Sequence, residues 1–530
     1  MRILFRLKAA VLAVGALLLA ATPAHAEWRR AESANFIIYS QGSETSLRRQ
    51  ARTLELYDYI LRARMGLPVD EPPARKLPIY LVGGRSGLRE IRPDLPAHVA
   101  GFYGPTTEGI FATAIRDQDM DFLLHEYFHH FSFQHGSAGN LPAWLVEGMA
   151  EYFMTAEVRD NVIRIGDYNQ NRAEWLMGAS WIPLADLLGK QMGELRSGSS
   201  RETYYPVAWL MTHWFMSDET RRAQLGAYIR AVQEGGDPIR AMEEATGLTL
   251  NQLRSRLQSY MRGSLQISVY EVTRAEPEIT ITRLPPSADD LLLLGQRLKV
   301  GVANDQRAAT AALVRQRAAR HPDDPFALLQ LGHAELHFGD PVAGEAVLTR
   351  LLDREPENVE ALQLMASRYM RLARDEGEDR TRRLVQAQSY LRRAYAADPE
   401  QYYTLYMLAQ VREAARDYPT ENDLLTWQLA YERAPQLPGI RLGFAAAMMH
   451  AEKFDEAVAL LGPLANAPHG GGAADTARTL LERAEARQPP LSWAEIDAAQ
   501  DAAARPPERE PADPSVPPPG DEDAGGEDGA

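Results

Sequence analysis

Leu123-Leu124-His125-Glu126-Tyr127-Phe128-His129 decides the reading of this chain. Residues four apart share one face of a helix, so His125 and His129 present two imidazoles to a single point in space. Glu126, beside the first histidine, reaches a water bound at that point. Phe122, Leu123, Phe128 and Phe131 surround the pair with apolar side chains, the setting of a helix packed on a core. Two imidazoles do not complete a metal site, and a third donor must come from another element.

The segment Pro142-Ala143-Trp144-Leu145-Val146-Glu147-Gly148-Met149-Ala150-Glu151-Tyr152 supplies one. Pro142 suits the first turn of a second helix, and apolar residues follow at helical spacing. Packed against the first helix, it aims Glu147 as the third ligand, giving a His, His, Glu set with one open position. Glu151 lies one turn further along the same face, where it can accept a hydrogen bond from the distal nitrogen of a ligand histidine. The chain has no cysteine, so cysteine-ligated zinc is excluded and no disulfide staples the fold. His130 points about 100° away from the metal face and reads as a packing residue, and His135 as a solvated one.

Working outward, Asn35 to Ser40 and Leu77 to Val82 read as strands bounded by turn residues. Gly101, Gly104 and Gly109 among apolar residues suggest paired strands with tight turns between Gly101 and Ala114. After Asp117 the pattern is read as helical throughout. Strands first and helices later is the order of an α+β domain, here residues 27–263. Residues 264–286 hold two alternating segments, Ile267 to Tyr270 and Ile279 to Thr282, read as a connector with a small strand pair and a hinge.

At the N-terminus, Arg2, Arg6 and Lys8 precede an apolar run that ends at Ala24-His25-Ala26, the pattern of a signal peptide cleaved before Glu27. This places the protein in the periplasm or outside the cell, with no membrane span after cleavage. The net charge of −15 and the absence of any basic block argue against nucleic acid as a partner. The tail, residues 489–530, is rich in Pro, Gly and acid and reads as disordered.

Residues 287–488 read as helical with an internal repeat. Turn prolines recur at Pro356, Pro399, Pro435 and Pro468, preceded by small residues at Gly332, Ala366, Ala409 and Ala445 and, in the second helix of the pair, at Ala387 and Ala457. Leu348, Leu391 and Leu461 fill a large-residue position four further on. The order resembles the tetratricopeptide repeat, with its period of about 34 residues. The departures are extra residues around Arg374 to Arg383, and Gly344 and Asp423 where alanine is usual. The array is expected to fold independently, and by analogy with such arrays to bind a protein or peptide.

His125-Glu126-x-x-His129 followed by Trp144-Leu145-x-Glu147-Gly148-x-Ala150-Glu151-Tyr152 resembles the gluzincin metallopeptidases, and is most similar to their peptidase-MA-like bacterial members. The resemblance covers residues 27–263. It implies a small sheet beside two zinc helices, with His125, His129 and Glu147 as zinc ligands, Glu126 as general base and Glu151 orienting a ligand. It also implies an electrophile for the oxyanion in Thr203-Tyr204-Tyr205-Pro206-Val207-Ala208. Tyr205, three residues before the small Ala208, is selected, with Tyr204 and His213 as rivals. The strand from Thr107 to Ala114 is the candidate edge for pairing with a substrate backbone. Glu108 in Thr-Glu-Gly-Ile does not match the acidic motif of the clan's aminopeptidases, which favours an endopeptidase. The expected function is thus an exported zinc peptidase whose repeats hold substrate or partner. The alternatives are a non-catalytic interaction scaffold with a peptidase-like domain and a zinc amidase acting on a cell-wall crosslink.

Overall fold

The computed structural model describes residues 27–495 apart from 97–98, 117–119, 136–140, 191–193, 196–197, 375–378, 466–470 and 493–494. The signal segment, Pro468 and nearly all of the tail lie outside the described residues. In chain order, the N-terminal part contains β1 (Arg29–Glu32), β2 (Phe36–Ser40), α1 (Glu44–Met65), β3 (Leu77–Val82), α2 (Arg85–Ile91), β4 (Gly101–Thr106) and β5 (Gly109–Ile115). Next come α3 (Asp121–Gln134), α4 (Ala143–Phe153), β6 (Glu157–Arg159), β7 (Val162–Ile165), α5 (Gln170–Gly178), α6 (Leu184–Gly189) and α7 (Ser199–Glu202). The part ends with α8 (Tyr204–Met216), α9 (Glu219–Gln233), α10 (Pro238–Thr246), α11 (Leu250–Met261), β8 (Ser268–Glu271) and β9 (Thr280–Arg283).

Six strands form one mixed sheet in the order β4-β5-β3-β2-β1-β9. The two-residue alternation decides what each face touches. Phe36, Ile38, Ile79, Leu81, Ile110 and Ala112 share one face and pack with α1 and α3 in the main core. Tyr80, Val82, Phe102 and Phe111 point to the other face, where they meet α2 and the first helix of the C-terminal part, α12 (Ser287–Val300), through Ala288 and Leu292.

Two sequence expectations change here. The two alternating segments of residues 264–286 do not pair with each other: β8 pairs with β7 and β9 with β1, both antiparallel. Each finds an open edge of a preformed sheet, which satisfies its backbone groups better than an isolated two-stranded ribbon would. They fasten the connector to the α+β domain, so it is no hinge. Nor is the chain wholly helical after Asp117, since β6 and β7 form a hairpin around Asp160 and Asn161. Asp160 takes φ 49°, the left-handed conformation that tight hairpins need and aspartate tolerates.

The C-terminal part continues from α12 with α13 (Arg307–Ala318), α14 (Pro325–Phe338), α15 (Pro341–Arg354), α16 (Val359–Leu372), α17 (Arg380–Ala397) and α18 (Tyr402–Arg412). It closes with α19 (Glu421–Arg433), α20 (Pro438–His450), α21 (Phe454–Ala465) and α22 (Gly471–Glu485). Sequential helices pair tightly, α14 with α15, α16 with α17 and α21 with α22. The small-residue positions lie at these contacts. A Cβ on Gly332 would stand 2.5 Å from Leu348 Cδ2, and one on Gly344 would stand 2.6 Å from the backbone nitrogen of Leu336. Glycine at position 344 is therefore required by the helix approach. Ala366, Ala387, Ala409, Ala445 and Ala457 are all fully buried, as are Leu348, Leu391 and Leu461. This is a tetratricopeptide-like helical repeat array.

Candidate metal centre

Helix α3 is fixed in rotation by its apolar and polar contacts together. Leu124, Phe128 and Phe131 enter the core, while Tyr57 donates to the Leu124 carbonyl at 3.2 Å and Tyr127 to Asp58 at 2.6 Å. On the adjoining side His130 Nδ1 is 2.9 Å from the Tyr103 hydroxyl of β4. His130 therefore packs, as read, and burial pushes its pKa down to about 3. His135 is half-buried against the Phe131 ring, so it is not the solvated residue expected.

Helix α4 crosses α3 with Phe153 stacked on Phe128 at 5.4 Å. Trp144 is wholly buried and donates to the Tyr228 hydroxyl at 3.0 Å. Gly148 permits the approach of α8: a Cβ there would lie 2.2 Å from Thr212 Oγ1 and 2.7 Å from the Ala208 carbonyl oxygen. The glycine of the Glu-Gly pair and the small residue of the later helix are thus two sides of one contact. It brings Tyr205, one turn before Ala208, beside the first two helices.

The structure brings His125, His129 and Glu147 to one point. His125 Nε2 is 3.1 Å from His129 Nε2, and Glu147 Oε2 lies 3.5 Å from the first and 3.4 Å from the second. A tetrahedral zinc ion with bonds of 2.0–2.2 Å holds its ligand atoms about 3.3 Å apart. The triangle therefore has the size and the donor chemistry for such an ion. These three residues form one of two groups among the described residues whose donor atoms lie close enough to hold a metal. The other is Glu108, His333 and His337.

Glu151 is wholly buried and sits 3.3 Å from His125 Nδ1, which leaves Nε2 to face the centre. Burial opposes the charge on both groups, yet each holds the other ionised. Glu147 and Glu151 push the His125 pKa up to about 10, and the Glu151 carboxyl is held below its ordinary value. The two carboxylates that favour a proton on His125 offer the same negative field to a cation.

Arg172, at the start of α5, grips Glu151 with both Nε and Nη2 at 2.7 Å. Its guanidinium also lies over the Tyr205 ring, 5.2 Å from the centroid. Asn169 caps α5 and donates to Asp121 of α3 at 3.0 Å, tying this segment to the helix of the two histidines. Nothing in the local pattern marks Arg172, because its role depends on a carboxylate on another helix.

Tyr205 is half-buried, its ring 6.1 Å from that of His125, and burial together with the charges of Glu147, Glu151 and Glu126 keeps its hydroxyl protonated. Its two rivals are placed differently. His213 has both ring nitrogens engaged, with the Tyr260 hydroxyl at 2.8 Å and the Gly166 carbonyl at 2.7 Å. Tyr204 is buried almost completely. The edge strand of the sheet next to the site is β4, since β5, which holds most of the segment Thr107 to Ala114, lies between β4 and β3.

No protein-family model matches the chain, and no curated protein matches it significantly. Among solved structures, it matches a thermophilic tetratricopeptide-repeat protein of Thermus thermophilus at 22% identity and a TM-score of 0.32. That match covers 37% of this chain and 99% of the other. At such a score it adds nothing to what the helix pairs show by themselves. No helix of the described residues is long and apolar enough to cross a membrane.

Proposed function

We propose that this protein is an exported zinc-dependent peptidase of the gluzincin type, with a repeat array that presents a protein substrate or partner. The observation that carries the reading is the triangle of His125, His129 and Glu147, with Glu126 half-buried on the same helix and Glu151 behind the first imidazole. A zinc ion held by His125, His129 and Glu147 would lower the pKa of a bound water to about 7 and polarise a substrate carbonyl.

The chain's own groups supply the rest. The Glu126 carboxylate accepts the proton of the attacking water and delivers it to the leaving nitrogen. The Tyr205 hydroxyl donates to the carbonyl oxygen as that oxygen gains charge. Glu151, clamped by Arg172, holds His125 in the orientation that directs Nε2 inward. An extended substrate adds to the sheet at its edge strand, β4. The signal-like N-terminus supports export.

The test compares the purified chain with Glu126→Gln. The variant is expected to keep its zinc content and lose hydrolysis of a peptide library by about 100-fold or more. Undiminished turnover by Glu126→Gln would remove Glu126 from the mechanism. Absence of zinc from the unmodified chain after reconstitution would leave the interaction scaffold as the better reading.

A further inference from the structure

The second donor cluster lies away from the site just described, where the repeat array meets the sheet. Helix α14 carries His333 and His337 four residues apart, so both imidazoles leave the same face. Facing them is Glu108, in the two-residue turn between β4 and β5. Glu108 Oε2 lies 3.1 Å from His333 Nε2, and Oε1 lies 3.9 Å from His337 Nδ1. One donor atom from each of the three falls within 4.8 Å of the others.

The protonation of His337 follows from its neighbours. Ser367 spends its own proton on the Leu364 carbonyl at 2.8 Å, so its Oγ accepts from His337 Nε2 at 3.4 Å. In a neutral ring the proton is then on Nε2, and Nδ1 turns a lone pair toward the Glu108 carboxylate. Two lone pairs aimed at each other in a shielded joint need a positive charge between them, which a proton or a metal ion supplies. His333 is 1% exposed, its Nε2 faces the Glu108 carboxylate at 3.1 Å, and its Nδ1 has no hydrogen-bond partner among the described residues. The nearby cationic side chains are directed elsewhere, Lys299 to Glu360 at 2.9 Å and Arg371 to the Leu336 carbonyl at 3.1 Å.

We propose that Glu108, His333 and His337 form a second site for a divalent transition metal, an ion that clips the repeat array to the β4–β5 hairpin. Two imidazoles and one carboxylate suit zinc and its neighbours, whereas calcium and magnesium take oxygen ligands. The ligands come from two parts of the chain far apart in sequence, so binding free energy at this site becomes docking free energy for the array. The hairpin is already held there by the Tyr402 hydroxyl, which donates to the Thr107 carbonyl at 3.1 Å. The ion would therefore fix the outer strand of the sheet, β4, in register with the array.

Zinc content distinguishes this site from the first. The full chain is stripped with a chelator, reloaded with zinc, desalted and assayed by elemental analysis, alongside His129→Ala, His337→Ala, Glu108→Gln and the combined His129→Ala, His337→Ala chain. The expected result is about two zinc ions in the unmodified chain, one in each single variant and none in the combined one. Zinc that survives in His129→Ala and disappears in the combined variant supports the second site even if the first fails. A single zinc in the unmodified chain, kept by His337→Ala and Glu108→Gln and lost in His129→Ala, overturns the proposal. Glu108→Gln preserves side-chain shape at a partly exposed turn, so a folding defect in the histidine variant leaves the test intact. Zinc is also expected to raise the melting temperature of His129→Ala but not that of Glu108→Gln in the same background.

Discussion

A carboxylate as deeply buried as Glu151 needs partners on both oxygens, and it has them. Oε1 faces His125 and Arg172 Nη2, and Oε2 takes Arg172 Nε. Removing the guanidinium leaves a buried charge that must either stay unpaired or take up a proton, and a protonated Glu151 no longer holds His125 in place. Arg172→Met is therefore expected to weaken zinc affinity at the first site about 10–100-fold, the usual effect of losing such outer partners. Competition with a chromophoric chelator measures it, and unchanged affinity would show that His125 is oriented by packing alone. The same substitution strips the cation from the Tyr205 ring. Of the residues around the centre, the two histidines were legible because helical periodicity is local. Glu147 and Glu151 were legible because their helix follows soon after and repeats the spacing. Arg172 was not, because only the crossing of α5 with α4 gives it a partner.

At the scale of elements, the crossing of α4 and α8 leaves no room for a side chain at Gly148. Gly148→Ala is expected to cost about 1–3 kcal/mol through overpacking against Thr212 and Ala208. Urea unfolding reads this directly, and a stability equal to the parent would mean that the two helices part without penalty. In the array, Asp423 stands where alanine is usual because it completes the N-terminal cap of α19. Its carboxylate accepts from the Thr420 backbone at 2.9 Å and pairs with Arg412 at 3.0 Å, while Thr420 caps the helix in return. Burial alone would raise its pKa, but Arg412 and the Thr420 backbone and hydroxyl donors outweigh it and hold the carboxyl below its ordinary value of 3.8. A lowered folded-state pKa means that the contribution is complete above about pH 4 and is lost as pH falls through the folded value. Asp423→Asn is therefore expected to destabilise the chain at pH 7 and to converge with the parent as the pH is lowered below about 4. A stability gap that stays constant from about pH 7 to 3 would contradict this. The hairpin of β6 and β7 shows what periodicity alone misses, since its strands of three and four residues are too short to establish alternation.

At the scale of the molecule, the array and the α+β domain share buried surface. Leu292 and Ala288 of α12 cover the second face of the sheet, and Tyr402, Leu405 and Trp427 join the main core. Arg75 reaches across to Gln401 at 2.9 Å and Gln134 to Gln436 at 3.2 Å. The array expressed alone, residues 287–488, is thus expected to unfold at lower denaturant than the intact chain and to bind a dye for exposed apolar surface. That revises the sequence expectation of an independent unit. A sharp, two-state transition matching the intact chain would restore it. The sequence by itself determined the elements whose patterns are local: the two histidines on one face of α3, the glutamates of the following helix and the small and large positions of the repeats. Helical and strand periods are written in neighbouring residues, so they survive without knowledge of the fold. Only the tertiary structure decided that β8 and β9 join different sheets, that Arg172 clamps Glu151 and that Glu108 meets His333 across the joint. Those pairings join residues distant along the chain, and their energy exists only once packing has brought them within a few ångströms.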